Sequence, residues 1–234
     1  MLSREGCAIR QHRLLEAIQR EKWDLFVTSN HRTVYYLTGS LSSGESPVIL
    51  ALWSDGTSTL ITSDTKEALV DEVVPLELYS ILRSVSMPVH DAVVLFRDRM
   101  SRPKSVVVRC AVERGATNAL VEDIIRTRFS NVTICDATPT VLALRKKKED
   151  DEIDEIRASL RLCAAAYRAA RAVITPHITE IDVFNAMQAA VNREAGVGVP
   201  LLGDFACGTR AIRGGGAATD RPLAAGELFP LDLF

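Results

Sequence analysis

Asp232 is the residue of this 234-residue chain whose surroundings most suggest chemistry. It is the single acid in an otherwise apolar run at 228–234. Burying an unpaired carboxylate is costly, so a buried Asp232 would need a basic partner or a metal ion. A salt bridge, or a position on the solvent side of a strand, would serve equally well. One acid alone does not make a metal site, because a hard or dinuclear centre needs further carboxylates or histidines.

The four histidines do not form a catalytic or metal-binding pattern. None stands beside a Cys or Ser in a local nucleophile signature. HExxH and two-histidine helical spacings are absent, which excludes a zincin. We therefore expect each histidine to lie at the surface or to have its hydrogen bonds satisfied. The four are His12, His31, His90 and His177.

A run of three glycines at 214–216 could suggest a phosphate-binding loop. It lacks the GxxxxGK[ST] pattern and does not lead from a strand into a helix N-terminus. A flexible turn is the preferred interpretation.

The composition is that of a globular protein, with 47% hydrophobic residues and a formal net charge of -2. This balance excludes a dedicated nucleic-acid-binding protein and a disordered chain. The five cysteines never form a CxxC pair, which predicts reduced thiols rather than a disulfide frame or a cysteine zinc site. No apolar stretch approaches the roughly 20 residues of a spanning helix, and no signal-peptide core is present. We expect a cytoplasmic protein without a membrane partner.

The first 140 residues alternate between strand and helix patterns. This alternation predicts an α/β fold with a mixed sheet, whose antiparallel part is a hairpin at Asp55 and Gly56. The predicted helices cover 4–22, 89–100 and 117–128, and the predicted strands cover 24–28, 47–54, 58–62, 76–80, 105–109 and 131–135.

The pattern changes near residue 140. A dense run of charges at 145–152 is typical of a solvated face or a linker. Two amphipathic helices are predicted to follow, the second starting at a capping box of Thr179 and Asp182 and ending at Gly196 or Gly198. The predicted apolar stripe of the first consists of Ile153, Ile156, Leu160, Cys163, Tyr167 and Ile174, and that of the second consists of Ile181, Phe184, Met187 and Val191.

The apolar run at 228–234 has no polar tail or partner strand after it. An unpaired strand edge invites aggregation, so we expect a chain truncated inside its last domain. The alternative is a terminal strand that pairs with an earlier one.

Four segments, in order, resemble the Xaa-Pro aminopeptidase/prolidase/creatinase family of pita-bread proteins. Residues 30–39 resemble a segment of the creatinase N-terminal domain, and residues 144–156 resemble the start of the catalytic domain after it. Thr179 and Glu180, and then residues 220–232, are similar to two later motifs. The resemblance implies a creatinase-like α/β domain at 1–140, followed at 141–234 by the first part of a pita-bread α+β domain.

The resemblance also implies a chemistry. Peptidase members bind two divalent metal ions, often manganese, cobalt or zinc, through two Asp, one His and two Glu, and hydrolyse the bond before a proline. Only Asp232 matches one of these ligands. We therefore expect the 234-residue chain to be inactive alone and to hold no metal, and its parent to act on proline-containing peptides. A homodimer is also expected.

One position departs from the family. Gly215 stands where many members carry a histidine that contacts the substrate near the metals. Arg213 lies close in the sequence and could take over contact with an oxyanion or a carboxylate. The departure puts ordinary prolidase specificity in doubt, and creatinase-like hydrolysis without metal is the weakest option because it needs that histidine. The alternative function is a non-catalytic pita-bread binding module or a degenerate pseudo-peptidase.

Overall fold

The chain divides into two compact units, Met1–Glu152 and Ile153–Phe234. Among the described residues, no helix is both long enough and apolar enough to cross a membrane. The computed structural model describes residues 1–42, 46–65, 68–84, 87–100 and 109–233.

The first unit alternates strands and helices over its whole length. Its strands are β1 (Leu25–Thr28), β2 (Ile49–Trp53), β3 (Ser58–Thr62), β4 (Glu72–Pro75), β5 (Tyr79–Ser80), β6 (Arg83–Ser84), β7 (Arg109–Val112) and β8 (Thr133–Asp136). Its complete helices are α1 (Arg4–Arg20), α2 (His31–Thr38), α3 (Pro88–Arg99), α4 (Ala119–Arg128) and α5 (Thr138–Lys146).

Six of these strands form one mixed sheet in the order β4-β3-β2-β1-β7-β8. Strand β2 is antiparallel to both β1 and β3, whereas β1, β7 and β8 are mutually parallel and β4 is parallel to β3. The predicted α/β class with a mixed sheet is therefore confirmed. The predicted hairpin is also confirmed, with Gly56 in the turn at a φ of 88°.

The sheet buries both of its faces because successive side chains of a strand point to opposite sides. Leu25 and Val27 of β1 pack into a core that includes residues of α3 and α4. Phe26, between them, belongs to a second core that includes residues of α1, α2 and α5. Because β1 and β7 are parallel neighbours, their carboxyl ends meet at one edge of the sheet. Both faces of the sheet are covered.

Several short elements are not predicted by the periodicity of the sequence. Helix α2 has only eight residues, although its N-cap Asn30 and its left-handed C-cap Gly39 are ordinary helix signals. Helix α5 has nine residues and strand β4 has four, and of the strand expected at 76–80 only Tyr79–Ser80 forms, as β5. The strand expected at 105–109 falls mostly on residues outside those described, and the observed strand, β7, runs from Arg109 to Val112.

The charge run at 145–152 is solvated only in part. Residues 146–148 and Asp150 are exposed, as the composition predicts, whereas Asp151 and Glu152 are half-buried against α1. Arg10 of α1 is fully buried, and its guanidinium donates to both carboxylate oxygens of Asp151, at 2.8 and 3.0 Å. Arg10 also donates to the backbone carbonyl of Tyr36 at 2.6 Å, and Arg13 pairs with Glu149. The carboxylates of the run pack against α1 because a buried guanidinium must be matched by carboxylates.

Asp151 is held in its charged form by this contact. Burial alone would raise the pKa of its carboxyl, but hydrogen bonds from Arg10 and Ser3 lower the pKa to about 2. Since the folded pKa lies below the ordinary value of 3.8, the pairing stabilises the fold fully above that pH and loses its effect as the pH falls towards 2.

The second unit consists of α6 (Asp150–Val173), which begins in the first unit, α7 (Glu180–Ala195), β9 (Gly203–Asp204), α8 (Thr209–Ile212) and β10 (Asp232–Leu233). The capping box of Thr179 with Asp182 is confirmed, and Gly196 ends α7 in the left-handed region. Met187 and Val191 of α7 are buried as expected, in a core with Phe205. The other two residues of the expected stripe differ, since Phe184 is partly buried against this core and Ile181 is 42% exposed.

The apolar stripe expected on α6 faces outward. Leu160 is 62% exposed and Tyr167 is 40% exposed. The buried residues of α6 are instead three alanines, Ala165, Ala166 and Ala170. Small side chains let a neighbouring backbone approach the helix closely. The spacing of hydrophobic residues alone does not show which face of the helix will be packed in this way.

We predict that Asp151→Asn lowers the free energy of unfolding by about 2–3 kcal/mol at neutral pH, because it weakens the partner of a buried guanidinium. The matched control, Asp154→Asn, removes a carboxylate that is 73% exposed and should change stability by less than about 0.5 kcal/mol. Urea unfolding of both variants, repeated as the pH is lowered, measures the effect. A difference from wild type that persists below pH 2 would contradict this assignment.

Candidate functional site

Two of the segments singled out in the sequence lie together in the second unit. The backbone N–H of Leu223 donates to the carbonyl of Ile178 at 2.8 Å, and that of His177 donates to the carbonyl of Leu223 at 2.9 Å. Thr179 and Pro222 form an isolated bridge between the same two segments. The motif at the start of α7 and the motif at 220–232 are therefore parts of one local structure.

Glu180, the first residue of α7, is the buried charge of this structure. Its exposed fraction is 0%, and its carboxylate accepts hydrogen bonds from the backbone N–H of Cys207 at 2.7 Å and from the Thr219 backbone and hydroxyl at 3.0 and 2.7 Å. Arg210 of α8 forms an ion pair with it. Burial alone would raise the pKa of Glu180, but the bonds from Thr219 and Cys207 lower it to about 2. Glu180 is therefore charged at neutral pH.

Arg221 links the surroundings of Glu180 to the turn at Glu227. Its guanidinium binds Glu227 through both carboxylate oxygens, at 2.9 and 2.5 Å, and contacts the Sγ of Cys207. Gly208 makes the approach possible, since an added Cβ would lie 2.5 Å from the Glu227 carboxylate. The contact with Arg221 lowers the pKa of Glu227. These side chains hold the loop at 207–227 in place. Because they satisfy one another's hydrogen bonds, we infer that their role is structural.

The predicted metal ligand lies in a short strand pair. Strand β10 is antiparallel to β9, and Asp232 is directly opposite Asp204. The final described strand therefore pairs with an earlier one, which is one of the two alternatives open from the sequence. Opposite residues of such a pair share a face, with their Cβ atoms about 5 Å apart. Asp232 is exposed and Asp204 is half-buried, so packing does not desolvate Asp232 as its apolar neighbours suggested.

Gly215 packs directly against this pair. It has a φ of 82°, and a Cβ at that position would lie 2.6 Å from the Cγ of Asp204. The adjoining backbone N–H, that of Gly216, donates to Asp204 Oδ1 at 2.8 Å. A histidine at position 215 would have to displace the Asp204 side chain. The positive φ at this position also favours glycine.

Arg213 does not join the two aspartates. It is an exposed residue that follows α8, and within the described ranges its guanidinium makes no hydrogen bond or ion pair. Sequence reasoning missed Asp204, for which only the preceding glycine gave a signal. A Cβ at Gly203 would collide with the backbone carbonyl of Asp232, so glycine is what allows the strands to pair.

The described residues do not by themselves fit a two-metal centre. Nowhere in that part of the chain do three or more His, Cys, Asp or Glu side chains gather as metal ligands. Asp204 and Asp232 supply two neighbouring carboxylates, fewer than the oxygen ligands that a hard divalent cation takes. Among the described residues, the geometry shows two carboxylates on opposite strands and no further ligand beside them.

The comparisons with known proteins agree with this architecture. The family model of the creatinase/prolidase N-terminal domain matches residues 10–147. A comparison with curated proteins finds no match.

Solved structures resemble the whole chain in fold. An X-Pro aminopeptidase from Thermotoga maritima superposes with a TM-score of 0.71 at 19% identity, over 95% of this chain and 60% of that one. An Xaa-Pro dipeptidase from Bacillus anthracis gives 0.74 at 15% identity, over 97% and 60%. A prolidase from Pyrococcus horikoshii gives 0.72 at 16% identity, over 96% and 60%. The chain therefore spans about three-fifths of the length of these structures.

We predict that Gly215→Ala destabilises the protein more than a backbone effect explains. Gly226 has a nearly equal φ of 84° but open space where its Cβ would be, so Gly226→Ala measures the backbone term, about 1–2 kcal/mol. Gly215→Ala should cost about 1–3 kcal/mol more because its Cβ overlaps Asp204. Thermal unfolding compares the variants, and Asp204→Gly should remove the excess, because Asp204→Ala would keep the Cβ that lies 2.8 Å from the added one. Equal costs for the two glycines would show that Asp204 does not constrain position 215.

Proposed function

Because the chain belongs to the creatinase/prolidase N-terminal domain family, we propose that it is the N-terminal portion of an Xaa-Pro peptidase that hydrolyses the bond before a proline. The observation that carries the proposal is the agreement in fold with such peptidases over 95–97% of this chain, which includes both units. The matched family domain accounts for the first unit. The assembly around Glu180 and Arg221 then supports the second unit as the opening part of a pita-bread domain.

In this proposal, residues 1–140 are the N-terminal domain and 141–234 are the incomplete catalytic domain. Asp232 is the first ligand of a site for two divalent ions, of manganese, cobalt or zinc, whose other ligands the described residues do not supply. The role of this chain is to hold Asp232 in position opposite Asp204. Arg213, an exposed residue two positions before Gly215, is available to contact the carboxylate of a peptide. A homodimer in the cytoplasm completes the proposal.

A second candidate function is a non-catalytic binding module. The observation in its favour is the contact of Gly215 with Asp204, which leaves no room for the substrate-contacting histidine that the family resemblance places there. A chain that lost this group could keep the fold and bind peptides without cleaving them. The two candidates differ in whether the natural gene product turns over an Xaa-Pro bond.

The deciding experiment assays the full natural gene product beside the 234-residue chain. Ala-Pro and Ala-Pro-Ala are offered as substrates with manganese, and Ala-Ala serves as the comparison peptide. We predict hydrolysis before proline by the natural product and none by the 234-residue chain. Asp232→Asn should lower kcat/KM of the natural product by about 100-fold or more, since a catalytic metal contributes several kcal/mol.

The control is Glu194→Gln, which changes an exposed carboxylate on α7 and should leave kcat/KM unchanged. A natural product that binds Ala-Pro peptides without cleaving them would favour the binding module. Full activity in Asp232→Asn would remove Asp232 from the site.

The 234-residue chain should also bind manganese weakly. Two carboxylates on a strand pair provide few ligands, so we predict a dissociation constant on the order of millimolar or weaker by calorimetry. Asp204→Asn and Asp232→Asn should each weaken it further. A tight isotherm with two ions per chain would contradict the view that the ligand set is incomplete.

A further inference from the structure

The hairpin of β5 and β6 turns through two apolar residues. Ser80 pairs with Arg83, so Ile81 and Leu82 are the two residues of the turn. Ile81 is 94% exposed and Leu82 is 97% exposed. We call these two residues the hairpin tip.

Turn geometry gives no reason for apolar residues at the hairpin tip. Two-residue hairpin turns favour Asn and Gly, which readily take a positive φ, whereas Ile81 and Leu82 both keep a negative φ. Two further apolar residues, Met87 and Val89, are also exposed a few positions later. Apolar groups clustered at a surface in this way mark an interaction site.

A cavity of about 410 Å³ lies in the same unit, at the carboxyl ends of β1 and β7. Most of its wall is aliphatic, and the described residues that line it include no Lys, Arg, Asp or Glu. The aliphatic side chains include those of Pro47, Ile49, Val89, Val93 and Val121.

The hairpin tip and the cavity are complementary in chemistry and in size. At roughly 30 Å³ for a group the size of a water molecule, the cavity has room for two branched side chains. Their entry would remove apolar surface from water on both sides of the contact. It would desolvate no carboxylate, ammonium or guanidinium of the described lining residues.

A second copy of the chain supplies the partner for both features. The exposure of Ile81 and Leu82 shows that the tip does not fill the cavity of its own copy. Two copies related by a two-fold axis would make the same contact twice, and such an arrangement closes without leaving a free tip or cavity. Val89 is exposed and also lines the cavity, so exposed apolar surface reaches the cavity wall.

We propose that two copies of this chain form a two-fold dimer in which the hairpin tip of each copy occupies the cavity of the other. The inference rests on the homodimer in the proposed function and assigns its interface. Its test uses no peptide substrate, so a failure here would leave the proposed hydrolysis before proline untouched.

The first test measures self-association of the 234-residue chain by sedimentation equilibrium. We expect a reversible dimer with a dissociation constant in the micromolar range. The double variant Ile81→Ser, Leu82→Ser should raise this constant by about 100-fold or more, because every dimer loses four buried apolar side chains. The control is Leu142→Ser, which changes an exposed leucine on α5 and should leave the constant unchanged.

The second test changes the cavity. Val89→Asp places a carboxylate in the cavity wall, and the dimer constant should again rise by about 100-fold, since burying an unpaired charge is costly. Val89 follows Pro88 in the first turn of α3, where an acidic residue is favourable, so the variant should fold with a Tm close to that of wild type. Leu142→Asp is the matched control.

Mixing the two variants identifies the contact itself. The Val89→Asp copy retains an intact tip, and the double variant retains an intact cavity, so a mixed dimer regains one of its two contacts. We expect the mixture to associate more tightly than either variant alone and more weakly than wild type. A mixture that associates no better than its components would overturn the pairing of tip with cavity.

Two other results would also overturn the proposal. One is a wild-type chain that stays monomeric up to about 1 mM, or a dimer whose constant neither set of substitutions changes. The other is a monomeric chain that binds phosphatidylcholine vesicles through Ile81 and Leu82, which would assign the tip to a lipid surface instead.

Discussion

A buried charge must be matched by hydrogen bonds, and each unit buries a charge that is also paired with an opposite charge. In the first unit it is the guanidinium of Arg10, which Asp151 matches from 141 residues away. In the second it is the carboxylate of Glu180, which Arg210 and Thr219 match together with a backbone N–H. Neither charge could remain buried if its partners were lost, so these contacts determine which distant segments must meet.

Buried polar groups of the first unit differ in how many hydrogen bonds they make. Glu113 accepts three hydrogen bonds and has an evident role in holding the start of α2. His31 Nδ1 and Thr117 Oγ1, in contrast, are buried without hydrogen-bond partners among the described residues.

The second unit shows how backbone geometry limits chemistry. Gly203 and Gly215 let two chain segments close around Asp204, and side chains at either position would collide with their neighbours. This arrangement places Asp204 opposite Asp232 at the cost of space for a histidine. The chain spans about three-fifths of the length of the peptidase structures that it resembles in fold.

Signals that act over a few residues were readable from the sequence. The turn at Gly56, the capping box at Thr179 and the mixed sheet depend on local conformational preferences and on the alternation of side chains, and Asp232 stood out by its apolar neighbours. Tertiary structure decided that Asp151 pairs with Arg10, that α6 buries its alanines, and which polar atoms remain unpaired at the cavity. These outcomes depend on the positions of residues far apart in the chain, and spacing along one sequence contains no record of those distances.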